Sequence, residues 1–373
     1  MNTSIPTRQN NFNLLRLIFA TLVLLSHAPE LIDGNRNREL LTRTFHTVSF
    51  GEFAVDGFFL LSGYLIVQSW CNAPDVLQFL RSRALRIFPG FIVATIVCTF
   101  VVGPLGAVPS VYFADLSLSN LTVSALQLRP PLLPAVFQGT PYPSVNGAMW
   151  TISLEFACYL AVLGMGVIGL TKRRVIWSGV AVSLFVIFAL QRFDLLTNVP
   201  GKYLFSHPLV RLGSFFLTGG TFYLFRHKQI FGRKAMLLAG ALLLVGMFSW
   251  RISELALVTA GGYLLFYFAL AHIPSIGKFN LLPDISYGVY LYGWPVQKLL
   301  LWYFPMMSPW FLFLLSCGGA LVLGTVSWYA VEKPCLKLKR RPSELPSVAR
   351  AIGSPNAGSI DSKSRSTSNR GIS

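Results

Sequence analysis

Apolar residues are gathered into long runs separated by short polar segments, and this alternation dominates the 373-residue chain. A helix that crosses the hydrocarbon core of a bilayer needs about 20 mainly apolar residues. Ten stretches meet this requirement approximately: 12–28, 51–70, 88–106, 148–170, 175–190, 209–225, 235–250, 253–271, 284–303 and 309–330. The pattern therefore predicts an all-α polytopic membrane protein with about ten transmembrane helices.

The segments outside these runs differ in character. Residues 107–147 are rich in proline and polar residues and too long for a simple turn, so we expect an interfacial or re-entrant element there. Residues 342–373 are rich in Ser, Gly and Arg, which predicts a disordered tail after one transmembrane domain at 1–341. The first run has the length of a signal-peptide core, but Pro29 follows its only cleavage-like site and further runs follow, so we expect a retained helix.

Composition supports the membrane assignment. Hydrophobic residues make up 53% of the chain and charged residues only 12%, whereas soluble domains have about 25% charged residues. The formal net charge of +17 comes from short Lys and Arg clusters between apolar runs, which argues against nucleic-acid binding and for contact with membrane lipid. The five cysteines are scattered with no C-x-x-C pair, so neither a disulfide framework nor a metal site is expected.

The distribution of positive charge predicts the orientation. Lys and Arg are more numerous in the segments on the side of the N-terminus than in the opposite loops, and positively charged segments face the cytoplasm. Both termini are therefore expected to be cytoplasmic.

The first predicted helix carries a charge near each end, Arg16 and His27. Eleven residues at 1.5 Å rise separate them by about 16 Å. This resembles the reach of an extended pantetheine arm, so Arg16 could hold a phosphate-bearing donor while His27 meets its acyl end. Alternatively, both side chains extend to the lipid headgroups at their own ends of the helix.

A second cationic group is FLRSRALRIFPG, with Arg83 and Arg86 three residues apart. On a helix these side chains share a face, and two guanidiniums on one face suit phosphate. Alternatively, Arg83 and Arg86 only reflect the general enrichment of positively charged residues on the cytoplasmic side of membrane proteins.

Acidic and hydroxyl side chains supply further candidates. Glu155 lies about two turns into the fourth predicted helix, at a depth that we expect to match His27, where it would orient the imidazole or stabilise its cation. Alternatively it pairs with a structural Arg211 or Lys298. Asp56 heads the second helix and Ser62, beside the small Gly63, is a weaker candidate for lining the site.

Six motifs follow one another along the chain: the Arg and His of the first helix, FFLLSG, RALR, MWTISLEFACY, ISYGVYLYGWPV and VEKP. In this order the chain resembles the acyltransferase-3 family of bacterial integral-membrane O-acyltransferases over about residues 10–337. The resemblance implies that acetyl-CoA or another acyl-CoA is a co-substrate, with no permanently bound cofactor. It also implies an acceptor hydroxyl on a glycan or lipid-linked saccharide and a place in the bacterial inner membrane.

The resemblance also implies roles for particular residues. Arg16 and His27 match the essential Arg and His pair of the family, and Arg83 and Arg86 match its donor-associated Arg-x-x-Arg motif. Glu155 matches the acidic residue that follows the Trp in the fourth motif of the family, and Trp150 is that Trp. Asn13 and Gly293 stand where many members have Asp and His, so no catalytic role is expected at these two positions. The hydrolase-like domain fused to some members is also not expected.

We therefore expect an acyltransferase in which His27 and Glu155 are catalytic and Arg16, Arg83 and Arg86 bind the donor. Asp56, Ser62 and Trp150 are expected to line the site. His27 would act as a general base or as a transient acyl carrier. Two rival classes remain: a transporter or flippase for a lipid-linked sugar or small acid, and a structural partner in a polysaccharide-assembly complex.

Overall fold

The described part of the chain is mainly helical, with an irregular stretch at residues 127–146. The computed structural model describes residues 10–196, 207–228, 231–271 and 283–339, and no strand occurs among them. The predicted tail at 342–373 lies outside the described residues. The helices are α1 Phe12–Asp33, α2 Leu40–Phe45, α3 Phe50–Asn72, α4 Val76–Leu105, α5 Pro109–Ala114, α6 Leu118–Leu126, α7 Trp150–Val167, α8 Arg174–Arg192, α9 His207–Leu224, α10 Arg233–Met247, α11 Ser253–Leu270, α12 Ser286–Tyr303 and α13 Pro309–Lys337.

All ten apolar stretches of the sequence are helical, which confirms an all-α polytopic membrane protein. Among the described residues, α1, α3, α4, α7 (with the turn at 147–149), α8, α11 and α13 are long and apolar enough to cross a membrane. Helix α10 has only 15 residues, and α9 and α12 each have 18. These three are not among the candidate spans, so the count of ten stays a prediction.

Helix α4 begins twelve residues before the predicted start of its apolar run. The Asp75 side chain accepts a hydrogen bond from the backbone N–H of Gln78 at 2.6 Å and so caps the helix. Because of this early start, Arg83 and Arg86 belong to the same continuous helix as the apolar run.

Small residues allow α3 and α9 to pack with their backbones close together. A Cβ atom on Gly63 would collide with the carbonyl oxygen of Phe216, and one on Gly219 with that of Leu60. The absence of a side chain at Gly63 and Gly219 therefore allows the two helices to approach closely.

Helices α1 and α12 run in the same direction, and this sets the two ends of the site. Arg16 contacts Asp284 just before α12, and Gln297 near the other end of α12 donates a 2.8 Å hydrogen bond to the Leu24 carbonyl. One end of this pair therefore carries Arg16 and the other carries His27; we call them the Arg16 end and the His27 end.

The second half of the 107–147 segment folds back into the helix bundle at the His27 end. Phe137 and Asn146 are buried, and a Cβ on Gly147 would collide with the Trp294 ring. The Trp294 ring lies 4.8 Å from the ring of His27. Helix α7 therefore starts beside His27 and not at the outer surface.

Candidate active site

At the Arg16 end, two predicted donor residues meet on an acid that the sequence reading did not select. Arg16 Nη1 lies 2.7 Å and Arg86 Nη2 lies 2.6 Å from the same Asp284 oxygen. The other Asp284 oxygen accepts a hydrogen bond from the Ser286 hydroxyl at 2.5 Å. This carboxylate therefore joins α1, α4 and the start of α12 at one point.

Arg86 is held on its other side by α13. Its Nη1 lies 3.4 Å from Glu332 Oε2, and its guanidinium lies over the rings of Tyr287 and Trp328 at 5.9 and 5.8 Å. Trp328 and Glu332 bound a π-helical turn, a feature that often occurs at functional sites. Glu332 is 1% exposed, so it is not the ordinary charged residue at a helix end that its sequence position indicates.

Arg83 differs from Arg16 and Arg86 because no carboxylate of the described residues forms an ion pair with it. Its Nε donates only to the neighbouring Ser82 hydroxyl, at 3.1 Å. Lys339 lies close enough that burial and the charges of Arg83 and Arg86 lower the pKa of its ammonium to about 8. Arg83 and Lys339 form a group of cations open to an anionic partner.

Glu155 also belongs to the Arg16 end. Its Oε1 accepts hydrogen bonds of 2.6 Å from the hydroxyls of both Ser62 and Tyr159. Glu155 and Arg16 line the same narrow cavity of about 40 Å³, together with Tyr287 and Tyr290. Since about 10–15 Å³ is needed per water, this space holds a few water molecules or a small acyl group but no whole acyl-CoA.

The expectation that Glu155 lies at the depth of His27 is wrong. Gly147 already lies at the level of Trp294 and His27, and Glu155 is eight residues further along, or about 12 Å deeper. The alternative pairing of Glu155 with Arg211 or Lys298 is also not found. Ser62, in contrast, reaches Glu155 directly, as a residue lining this site would.

The acid beside His27 is Glu30, one turn further along α1. Glu30 Oε2 lies 3.3 Å from His27 Nδ1. Its other oxygen accepts a 2.8 Å hydrogen bond from Arg36 Nε and a 2.7 Å bond from the Tyr142 hydroxyl. Burial and the bond to Glu30 raise the pKa of Tyr142, so this hydroxyl remains a donor.

The same contacts hold Glu30 in its charged form. Burial by itself would lower the pKa of Arg36, but the Glu30 carboxylate more than offsets this and the pKa is raised. Arg36 thus keeps its charge beside the acid. The His27 side chain is 17% exposed and remains partly accessible. Geometrically, this is a histidine with one ring nitrogen oriented by an acid and the other left available.

Tyr290 separates the two ends. It lies one turn from Tyr287, which lines the Glu155 cavity, and one turn from Trp294, which contacts His27. Its hydroxyl lies 2.7 Å from the Thr151 hydroxyl and donates to the Ala148 carbonyl at 2.5 Å. These bonds fix Tyr290 in the wall of the cavity, between Glu155 and the His27 end.

Asp56 and Trp150, expected to line the site, lie elsewhere. Asp56 is buried and its Oδ1 lies 2.7 Å from Arg211, which in turn contacts Glu254 at 2.5 Å. Asp56 therefore forms a structural ion pair with its charge already balanced. Trp150 is 42% exposed and faces a groove formed with residues 120–132, on another side of α7 from Glu155.

The chain also matches known proteins over most of its length. The model of the acyltransferase-3 family, described as an acyltransferase domain, matches residues 9–329. The chain belongs to this family. An O-acetyl transferase of Shigella phage Sf6 is 29% identical over 342 residues, which cover 87% of this chain and 96% of that protein. Nodulation protein 10 of Rhizobium leguminosarum bv. viciae is 27% identical over 375 residues, covering 89% and 94%. No solved structure matches.

In this acyltransferase-3 protein, the matched region includes Arg16, Asp284, His27 and Glu30, whereas Glu332 and Lys339 lie just after it. The chain is a multi-pass membrane protein and an O-acyltransferase. Sequence reasoning missed Glu30, Asp284 and Glu332. Each of these acids lies within or next to an apolar stretch, and that position alone could have marked it as a candidate.

Gly293, where many family members have a histidine, packs against α1. A Cβ atom at this position would collide with the Leu24 side chain. The glycine therefore serves the close contact between α1 and α12 next to the site.

Proposed function

We propose that this O-acyltransferase transfers an acyl group, expected to be acetyl, from cytoplasmic acyl-CoA to a glycan. The acceptor is a hydroxyl of a cell-surface or secreted glycan or of its lipid-linked precursor. The protein would lie in the bacterial inner membrane with both termini in the cytoplasm. The observation that carries this proposal is the pair of polar clusters at opposite ends of α1.

The Arg16 end suits the donor. Coenzyme A carries several phosphate charges, and Arg83 and Lys339 supply cations without a carboxylate partner among the described residues. Arg16 and Arg86 already donate to Asp284, and Arg86 also donates to Glu332, so they would contribute only with their remaining N–H groups. The acyl arm would enter the cavity beside Glu155 and pass Tyr290, whose two hydrogen bonds would open.

The His27 end suits the acceptor. Glu30 would accept a hydrogen bond from His27 Nδ1 and leave the lone pair of Nε2 free to take the proton of the acceptor hydroxyl. The hydroxyl oxygen attacks the thioester carbonyl, the carbon–sulfur bond breaks, and the proton passes from His27 to the thiolate of coenzyme A. Glu30 acts here as a positioning residue that stabilises the imidazolium. In the alternative course, His27 itself carries the acyl group for part of the cycle.

A matched pair of histidine variants tests the proposal. Surface glycans of cells that carry the wild type, His27→Asn, His46→Asn or a deletion are compared by mass spectrometry, with the membrane level of each protein measured alongside. His46 is an exposed histidine at the same end and Asn tolerates its left-handed backbone conformation (φ 57°). Ester-linked acyl mass should disappear with His27→Asn and the deletion and persist with His46→Asn.

Two results would contradict the proposal. An unchanged acyl pattern with failed glycan export would favour the transporter. An unchanged acyl pattern and unchanged export would favour a structural partner. Acetyl-CoA with a radiolabelled acetyl group, added to membrane vesicles, tests the donor separately. If the enzyme uses a different acyl-CoA, the labelled acetyl group stays on coenzyme A and none appears on the glycan.

A further inference from the structure

A second cavity lies at the His27 end of α1. This outer groove has a volume of about 400 Å³ and is formed where α1 meets the segment 37–43 and the start of α13. It is about ten times larger than the cavity beside Glu155 and falls in the range of small-ligand sites. The side chains that give it chemical character are Asn37, Arg38, Glu39, Arg43 and Trp310.

Glu39 leaves one buried oxygen of the outer groove without a partner. The residue is 2% exposed. Its Oε2 accepts hydrogen bonds from the Thr42 backbone N–H at 2.8 Å and the Thr42 hydroxyl at 2.9 Å, which caps α2. Its Oε1 is buried and accepts no hydrogen bond from the described residues. An unpaired buried acceptor is costly, so this oxygen calls for a hydrogen-bond donor from outside the chain.

The other walls combine donors with an aromatic surface. Arg43 forms no ion pair with any described residue, whereas Arg38 pairs with Asp33. The Trp310 indole is 56% exposed, so a flat apolar surface faces the groove.

These features together restrict the chemistry of the ligand. An anion would meet the charge of Glu39, and a purely apolar ligand would leave Glu39 Oε1 unpaired. A neutral saccharide satisfies all the walls, because its hydroxyls donate to Glu39 and accept from Arg43 or Asn37 while its C–H face covers Trp310. We propose that the outer groove binds a saccharide unit of the acceptor glycan, an inference that rests on the proposed function.

The groove is connected to the reaction site through the backbone. Ala28 and Pro29, which line it, follow His27 directly in α1. Arg36, which donates to Glu30, heads the same 3-10 turn that carries Asn37 and Arg38. A saccharide in the groove would therefore lie at the same end of α1 as His27 and its acid.

Direct binding tests the proposal independently of catalysis. The probe is a fluorescently labelled oligosaccharide, obtained from the surface polysaccharide of the native bacterium by partial hydrolysis of its glycosidic bonds and mild-alkali removal of its ester groups. The full chain is placed in phosphatidylcholine nanodiscs, and binding is followed by fluorescence anisotropy. Glu39→Gln keeps an oxygen to cap α2 but removes the charge, and Trp310→Leu removes the aromatic surface. Each should raise the Kd about tenfold, whereas Phe311→Leu, at the next and equally exposed aromatic, should leave it unchanged.

The outcomes separate this proposal from the proposed function. If the wild type binds no oligosaccharide, or if the groove variants bind as well as Phe311→Leu, the groove proposal is overturned even where acyl transfer is normal. If binding depends on Glu39 and Trp310 but no acyl group is transferred, the groove is a saccharide site and the proposed function fails. If the groove variants instead lose phosphatidylglycerol added to the nanodiscs, the occupant is a lipid headgroup and the proposal is wrong.

Discussion

At the scale of single residues, the charge of Glu30 matters most for the proposed chemistry. Glu30→Gln keeps a hydrogen-bonding group beside His27 but removes the charge that stabilises the imidazolium. We expect kcat for acyl transfer to fall about 100-fold, while KM for acetyl-CoA changes less than about twofold. Steady-state rates in membrane vesicles measure both. Glu52→Gln is the control, since Glu52 also lies 3.7 Å from Arg36 but forms no ion pair with His27. An equal loss in both variants would contradict a specific role for Glu30.

Substitution of Arg83 tests the proposed binding of the donor phosphates. Arg83→Gln should raise KM for acetyl-CoA about tenfold or more, because a hydrogen bond to a charged group contributes about 1.5–3 kcal/mol. With acetyl-pantetheine, which lacks the phosphates, the variant and the wild type should behave alike. Arg81→Gln, an exposed position on the same helix, serves as the control. A loss with both donors would show that Arg83 supports the fold or the acyl end and not the phosphates.

We expect Lys339 to make the proposed binding of the donor sensitive to pH. Because the pKa of its ammonium is lowered to about 8, the group is charged below that pH and loses its charge as the pH rises through 8. KM for acetyl-CoA should therefore rise above pH 8. Lys339→Arg, which stays charged, should remove this rise. An identical pH profile in the variant would assign the effect to another group.

Single residues also show what sequence can and cannot predict. The charged positions Arg16, His27 and Glu155 stand out because ionised groups are rare inside apolar runs. The pairing between different helices cannot be predicted in this way, since a sequence gives position along a helix but not which helices face each other. Asp284 is 268 residues from Arg16, and only the packing of α1 against α12 brings the two together.

At the scale of elements, the contact between α3 and α9 depends on glycine. Gly63→Ala places a Cβ against the Phe216 carbonyl, a rigid backbone atom, and overpacking of this kind costs about 1–3 kcal/mol. We expect a lower melting temperature in detergent and less protein in the membrane. Gly164→Ala in α7, where a Cβ would meet nothing within 4 Å, is the matched control and should behave as the wild type. Equal stability of the two variants would mean that the helices separate at no cost.

The elements themselves follow from the hydropathy pattern, but their depth does not. Each apolar run became a helix because a backbone in lipid must satisfy its own hydrogen bonds. The expected depth of Glu155 is wrong because α7 starts beside His27 and not at the membrane surface. Its true start depends on the fold of residues 133–146, whose burial is a tertiary feature without a periodic signal.

At the scale of the whole molecule, charge is balanced where the structure is fixed and unbalanced where a ligand is proposed. Asp56, Arg211, Glu254 and Arg192 form a chain of ion pairs with no net charge. Arg83 and Lys339 at one end, and the buried oxygen of Glu39 at the other, lack such partners among the described residues. This contrast distinguishes scaffold from site more clearly than the number of charges does.

The last prediction concerns the orientation of the molecule. Cys71 is exposed at the end of α3 that is expected to face the cytoplasm, and Asn35 is exposed just after α1, at the His27 end. A membrane-impermeant maleimide should label Asn35→Cys, made in a Cys71→Ser background, in intact cells. It should label Cys71 of the wild type only after the cells are permeabilised. If the wild type is labelled in intact cells and Asn35→Cys is not, the orientation of the molecule is the opposite of the one expected. The cationic end would then lie outside the cell, where acyl-CoA is not supplied, and the assignment of donor and acceptor to the two ends of α1 would fail.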